Sequence, residues 1–92
     1  MLLTAPEIAC QLGGQIRARR KSLGLTQSEA AARSGVSYGT WRRLEASGSA
    51  SIEDMVRAAI ALRCEDGLAA LFAPQAARSI DELVAGRKGA RS

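Results

Sequence analysis

The sequence lacks histidine altogether and has only two cysteines among its 92 residues. It also lacks a glycine-rich phosphate loop and any group of carboxylates with metal-ligand spacing, so it predicts no catalytic site, metal or cofactor. We therefore expect that the protein is not an enzyme. Cys10 and Cys64 are far apart in the chain, which favours two buried free thiols over a disulfide or a metal site.

Long apolar runs are missing too. No stretch approaches the roughly 20 apolar residues that a membrane-spanning helix needs, and the first residues lack the basic start and apolar core of a signal peptide. These absences exclude a membrane partner and predict a cytosolic protein. The length fits one domain, in which about 60–65% of the unfolded surface becomes buried.

The net charge of +4 is unevenly distributed along the chain. Residues 1–46 contain seven basic and three acidic side chains, whereas residues 47–92 contain six of each. The positive charge is therefore concentrated in the first half, as a surface that binds DNA phosphates requires.

That same half contains a pattern typical of two short helices joined by a tight turn. Thr26 and Glu29 have the spacing of a capping box, which begins a helix, and Gly35 favours its end. Ser37 caps a second helix, where Val36 and Trp41 have the spacing of a hydrophobic staple.

The second helix is amphipathic. At about 100° per residue, Trp41 and Leu44 lie on one side. Polar and small residues lie on the other side, with Tyr38 at its edge: Gly39, Arg42, Arg43 and Ala46. Taken alone, this segment is equally an ordinary amphipathic helix with solvated arginines; the cap and turn before it favour a DNA-reading helix.

The stretch TQSEAAARSGVSYGTWRRLE resembles the helix-turn-helix of the lambda-repressor and Cro-like family, also called the XRE family. The resemblance covers residues 11–64 and implies an all-α, compact bundle of four or five helices that binds an inverted-repeat operator as a homodimer. Two departures, Ala30 for a usual leucine and Trp41 for a smaller aliphatic residue, indicate a volume exchange within one core. Gly39 occupies a position where the family often has a base-reading side chain.

The geometry of the two helices assigns DNA contacts to individual residues, and the resemblance assigns a pair between Arg20 and Glu45. Tyr38, Gly39, Arg42 and Arg43 face the bases, with Arg43 nearest the centre and able to read guanine with both arms of its guanidinium. Phosphate contacts are expected from Gln27, Ser37, Thr40, Arg17, Arg19 and Lys21. Arg20 is expected to pair with Glu45 and brace the first helix against the reading helix, although a solvated Arg20 is the alternative.

The remaining segments predict supporting helices. Thr4 and Glu7 form another capping box pattern, and Gly13 and Gly14 predict that this first helix starts late or bends. The expected core-facing residues of the first helix are Ile8, Leu12 and Ile16, with Leu23 closing the segment. Ser51 and Asp54 begin a fourth helix, whose core stripe is Ile52, Met55, Val56, Ala59 and Ile60. A short fifth helix ends at Pro74, and its Leu68, Leu71 and Phe72 favour the core over a dimer contact.

The sequence divides into a domain at 1–74, with the helix-turn-helix at about 26–46, and an extension at 75–92. In the extension, Ile80, Leu83 and Val84 recur at helical spacing before a basic tail. So short a segment needs something to dock on: its own domain, a second subunit or another protein. With Leu71 and Phe72, these residues are the predicted dimer or partner contacts.

The stretch ALFAPQAARSIDEL resembles the tails of HipB-like antitoxins, which implies a repressor of its own operon that also restrains a HipA-type kinase toxin. A protein-interaction adaptor on the same scaffold, with weak non-specific DNA binding, is the alternative function, and Gly39 gives it some support. Substitution of Arg43 separates the two, since only a repressor needs it for operator binding.

Overall fold

The computed structural model describes residues 2–74, and these form five helices without a strand. They are α1 (Ala5–Ser22), α2 (Gln27–Ser34), α3 (Tyr38–Ser47), α4 (Ile52–Ala61) and α5 (Glu65–Leu71). The predicted all-α class is therefore confirmed. The extension, with its predicted contacts Ile80, Leu83 and Val84, lies outside the described residues.

Side-chain caps determine where four of the helices begin. Thr4 and Thr26 form complete capping boxes with Glu7 and Glu29, as the sequence predicts. Ser37 and Ser51 each accept a hydrogen bond from the backbone N–H three residues later. These bonds satisfy amide groups that have no partner within a helix, so they fix the starts of the helices from local sequence.

Two glycines end the helices of the turn motif. Gly35 after α2 and Gly48 after α3 have φ angles of 80° and 74°. This left-handed backbone conformation is strained for residues with a side chain. The chain can therefore change direction sharply after each helix, which allows α3 to pack against α1, α2 and α4.

Helix α1 runs from Ala5 to Ser22 without interruption, so the predicted late start at its glycines is wrong. The capping box at Thr4 fixes the start, and packing explains Gly13, which is buried where α1 crosses α3. A Cβ atom there would meet the carbonyl oxygen of Leu44 and lie 2.8 Å from that of Glu45. Gly13 thus allows the backbones of α1 and α3 to approach closely.

We expect Gly13→Ala to lower the free energy of unfolding by about 1–3 kcal/mol, the usual cost of overpacking a tight contact. Its neighbour Gly14 has open space at the Cβ position, so Gly14→Ala should raise stability by about 0.5–1 kcal/mol through helix propensity. Denaturant titrations followed by the fluorescence of Trp41 compare the two variants. Equal effects would contradict a close approach at Gly13.

The core lies between α2, α3 and α4 and consists of Leu25, Ala30, Ala31, Trp41, Leu44, Ala58 and Leu62, with Ile16 and Val36 packed against it. Trp41 and Ala30 are both fully buried. The large residue on α3 and the small one on α2 therefore occupy the same core, which agrees with a volume exchange.

Several predicted core residues instead face solvent. Ile8 and Leu12 on α1 are about half exposed, and of its predicted face Ile16 packs on the core. On α4 the predicted stripe was wrong at Ile52, Val56 and Ile60, which are exposed, whereas its other members, Met55 and Ala59, are partly buried. The buried residues are Ala58 and the adjacent Leu62. The apolar arc of α4 is wider than the surface that covers it, and one edge of the arc makes the contact.

Helix α5 and the cysteines give two further corrections. Leu71 and Phe72 are 63% and 92% exposed, Leu68 is half-buried, and α5 has no buried residue, so these side chains do not complete the core. Cys10 and Cys64 are free but exposed, so the prediction of buried thiols was wrong. Cys10 lies near the edge of the contact between α1 and α3, with its Sγ 3.7 Å from the carbonyl oxygen of Ala46, and Cys64 lies between α4 and α5.

Candidate nucleic-acid interface

Helix α3 presents one face to solvent and the opposite face to the core. Trp41, Leu44 and Glu45 are buried. The outer face carries the residues predicted to read bases, all of them exposed: Tyr38, Gly39, Arg42 and Arg43. The structure therefore brings these four residues together on one accessible side of a rigid helix.

The position of Arg43 is supported from within the helix. Its Nη2 donates to the Oγ1 atom of Thr40 at 3.2 Å, and the hydroxyl of Ser37 donates to the same oxygen at 2.9 Å. Ser37 Oγ also accepts the backbone N–H of Thr40 at 3.0 Å. The N-cap of α3 thus positions Arg43, which lowers the entropy lost when its guanidinium binds a ligand.

Arg42 is held by a different contact. Its guanidinium carbon lies 5.7 Å from the centroid of the Tyr38 ring, within the range of a cation–π interaction. Because both residues are exposed, the pair forms a flat polar surface at the N-terminal half of α3. Gly39 lies beside it, and a Cβ atom there would make only ordinary van der Waals contacts, 3.9 Å from Arg43 Nη1 and 4.0 Å from Ser37 Oγ, so the fold itself does not require a glycine.

A concave groove runs along the outer face of α3, between that helix, the C-terminal half of α1 and the start of α2. It is lined by Arg17, Arg20, Thr26, Gln27, Gly39, Arg42, Arg43, Glu45 and Ala46. Arg17, Arg42 and Arg43 are exposed, whereas Arg20 is buried and paired with Glu45. The accessible charge of the groove is therefore positive, which suits an anionic ligand.

Glu45 forms the floor of this groove and joins three helices. Arg20 on α1 donates from Nε to Oε2 at 2.5 Å and from Nη2 to Oε1 at 3.1 Å. Trp41 Nε1 donates to Oε2 at 2.5 Å, and Gln27 Nε2 on α2 donates to Oε1 at 2.9 Å. We call Glu45, Arg20, Trp41 and Gln27 the Glu45 cluster; it fixes the angle of α3 relative to α1 and α2.

The environment of the Glu45 carboxylate also sets its protonation. Burial raises its pKa, but hydrogen bonds from Arg20, Trp41 and Gln27 together outweigh burial, so its pKa lies below the ordinary glutamate value of 4.5. Arg20 additionally donates from Nη1 to the carbonyl of Leu25 at 2.8 Å. Each polar group of the buried pair thus has partners, as a buried ion pair requires.

The predicted phosphate-contacting residues do not all meet at the groove. Ser37 and Thr40 lie at the N-terminus of α3, and Arg17 lines the groove. Arg19 instead donates to the carbonyl of Leu62 at 2.9 Å, next to α4, and neither Arg19 nor Lys21 lines the groove. The amide of Gln27 lies at the groove but is already bonded to Glu45.

Sequence reasoning missed two members of the Glu45 cluster as polar partners. The sequence predicts Trp41 only as an apolar core residue and Gln27 only as a phosphate contact. One signal was available, since Trp41 and Glu45 are four residues apart and therefore adjacent on one helix face. The bond from Gln27 had no such signal, because it connects different helices.

Two other features are absent from the described residues. Within residues 2–74, no group of three or more histidine, cysteine or acidic side chains has a geometry that could hold a metal ion. Over that same range, every helix is too short or too polar to cross a membrane.

Comparison with known families agrees with this geometry. The family model described as "Helix-turn-helix domain" matches residues 11–72, which include α2, the turn at Gly35, α3 and the groove. A search of curated proteins gave no match. Because the family model covers most of the chain, this protein belongs to the helix-turn-helix domain family and is a DNA-binding protein.

Proposed function

We propose that this protein is a sequence-specific transcriptional repressor of the lambda-repressor and Cro-like branch, which acts as a dimer on DNA upstream of its own gene. The observation that carries the proposal is Arg43, exposed on α3 and held by Thr40. The protein acts by binding rather than by catalysis, because a repressor bound to operator DNA prevents other proteins from binding there.

The proposed mechanism separates base reading from phosphate binding. Helix α3 enters the major groove, where the guanidinium of Arg43 can bind O6 and N7 of guanine through two hydrogen bonds. Arg42, stacked on Tyr38, faces the neighbouring base pair. Arg17 at the rim of the groove supplies salt-dependent affinity through phosphate.

Exposed apolar side chains at the end of α5 support the dimer. Leu71 and Phe72 follow one another there and are largely exposed, which is unfavourable in water and favours burial against a second copy. A two-fold dimer would place two α3 helices about one turn of DNA, roughly 34 Å, apart. The expected operator is therefore an inverted repeat.

Fluorescence anisotropy with duplex DNA from upstream of the gene tests the proposal against scrambled DNA of the same composition. We expect the upstream DNA to bind at least about 10³-fold more tightly at physiological salt. If both duplexes bound with the same weak affinity and the same salt dependence, sequence-specific reading would be contradicted. Selection of bound sequences from random duplexes separates sequence-specific binding from autoregulation. If the selected sequence is an inverted repeat that does not occur upstream of the gene, only autoregulation is rejected.

We further propose that the repressor is the antitoxin of a HipA-type kinase. The support is the resemblance of the stretch from Ala70 to Leu83 to HipB-like tails, together with the exposed Leu71 and Phe72 within it. Co-expression with a HipA-type kinase tests this point: the full chain should relieve growth arrest, and Phe72→Asp should not. Relief that is unchanged by Phe72→Asp would exclude this surface as the kinase contact.

A further inference from the structure

Helix α4 has an apolar stripe that no described residue covers. Ile52, Val56 and Ile60 lie four residues apart and are 84%, 37% and 56% exposed. The buried side of the same helix is formed by Ala58, so the stripe faces away from the core. We call these three residues the outer stripe.

The size of the outer stripe restricts its occupant. Three aliphatic side chains along about 12 Å of helix expose a patch of a few hundred Å². A stable dimer buries about 800 Å² on each partner, so this patch alone is too small for a second copy. It matches a segment of about two helical turns.

We propose that residues 79–86 of the same chain dock on the outer stripe. In this segment Ile80, Leu83 and Val84 recur at i, i+3 and i+4, between a serine cap and a glycine. A segment of this length is unstable as an isolated helix and needs an apolar surface. The outer stripe supplies such a surface within the same molecule.

The connecting chain is long enough for this docking. Helix α5 begins four residues after α4 ends and is about 10 Å long, so its end lies within about 25 Å of Ile60. Residues 75–79 span up to about 17 Å when extended, and α5 packs against α4, which allows Ile80 to approach Ile60. A tether this short gives an effective concentration in the millimolar range, which favours docking within one chain.

Charge at the ends of the stripe is also complementary. Asp81 and Glu82 lie in the docking segment. Arg63 follows α4, is exposed, and is in no salt bridge with another of residues 2–74. Asp81 and Glu82 can therefore approach the guanidinium of Arg63, close to Ile60. The basic residues 87–91 then lie beyond the outer stripe.

Methyl NMR on the full-length chain tests the proposal with samples that mix labelled and unlabelled protein. We expect nuclear Overhauser effects between methyl groups of Ile80 or Val84 and those of Ile60 or Val56, within one molecule and independent of protein concentration. Effects seen only between labelled and unlabelled molecules would overturn it in favour of a second copy. Absence of any such effect would overturn it as well.

Two variants provide a second, independent readout of docking. Ile80→Asp should abolish these effects and shift the methyl signals of Ile52, Val56 and Ile60, while the core around Trp41 stays unchanged. Ala85→Asp introduces the same charge on the opposite side of the segment at 100° per residue, and it should leave the signals in place. Unchanged outer-stripe signals in Ile80→Asp would reject the proposal; because it concerns α4 and not the groove, a failure of DNA binding would leave it intact.

Discussion

Glu45→Ala will lower the free energy of unfolding by about 3–5 kcal/mol, because it leaves the guanidinium of Arg20 buried without its counterion. The side chains of Arg20 and Glu45 are 9% and 3% exposed, so water cannot replace the lost bonds. The substitution also removes the acceptor of Trp41 Nε1 and Gln27 Nε2. Denaturant titration followed by the fluorescence of Trp41 measures the loss.

A matched control is available on α4. Glu53 pairs with Arg57 at 2.7 Å, but both side chains are substantially exposed. Removing such a pair costs about 0.3–0.5 kcal/mol, so Glu53→Ala should change stability little. A similar loss in both variants would contradict a special role for the Glu45 cluster.

The pH dependence of stability gives a second signature of Glu45. Because its folded-state pKa is lowered, its contribution to stability is complete above the unfolded value of about 4.5 and disappears as the pH falls through the folded value. Glu45→Gln should therefore lose less stability than the wild type upon acidification below about pH 4.5. Glu7 and Glu29 have pKa values lowered by their capping bonds, and they act equally in both proteins.

Arg43→Ala will weaken binding to the specific operator by roughly 30-fold to 10⁴-fold. One bidentate contact to guanine contributes about 1–3 kcal/mol, and a dimer loses it in both half-sites, so the total is about 2–6 kcal/mol. Affinity for scrambled DNA should fall far less, since that binding depends on charge alone. Anisotropy titrations of both duplexes at two salt concentrations measure the difference.

Arg33→Ala serves as the matched control for Arg43→Ala. Arg33 is an exposed arginine at the end of α2 and does not line the groove, so its removal changes the net charge equally. Arg43→Lys keeps the charge but loses the planar fork, and should retain the salt dependence while losing discrimination. If Arg33→Ala and Arg43→Ala weakened operator binding equally, base reading by Arg43 would be excluded.

Local chemistry made much of this fold predictable. Capping boxes at Thr4 and Thr26, the serine caps at Ser37 and Ser51, and the left-handed Gly35 each act within a few residues, so the sequence alone reveals them. The outer face of α3 follows from the same argument, because residues one turn apart must share a side. The groove was less predictable: Arg19 faces Leu62 and not the groove, which depends on where α4 lies.

The sequence by itself determined the all-α class, the turn between α2 and α3 and the arginines on the reading face, since these depend on helix period and local hydrogen bonds. Tertiary structure alone decided that Gly13 is a contact point, that Gln27 donates to Glu45, and that α4 turns Ala58 inward. The physical reason is that the apolar face of a helix predicts its buried side only when that face is no wider than the surface packed against it. The apolar face of α4 is wider than that surface, so only one edge of the face is packed and Ile52 and Ile60 remain exposed.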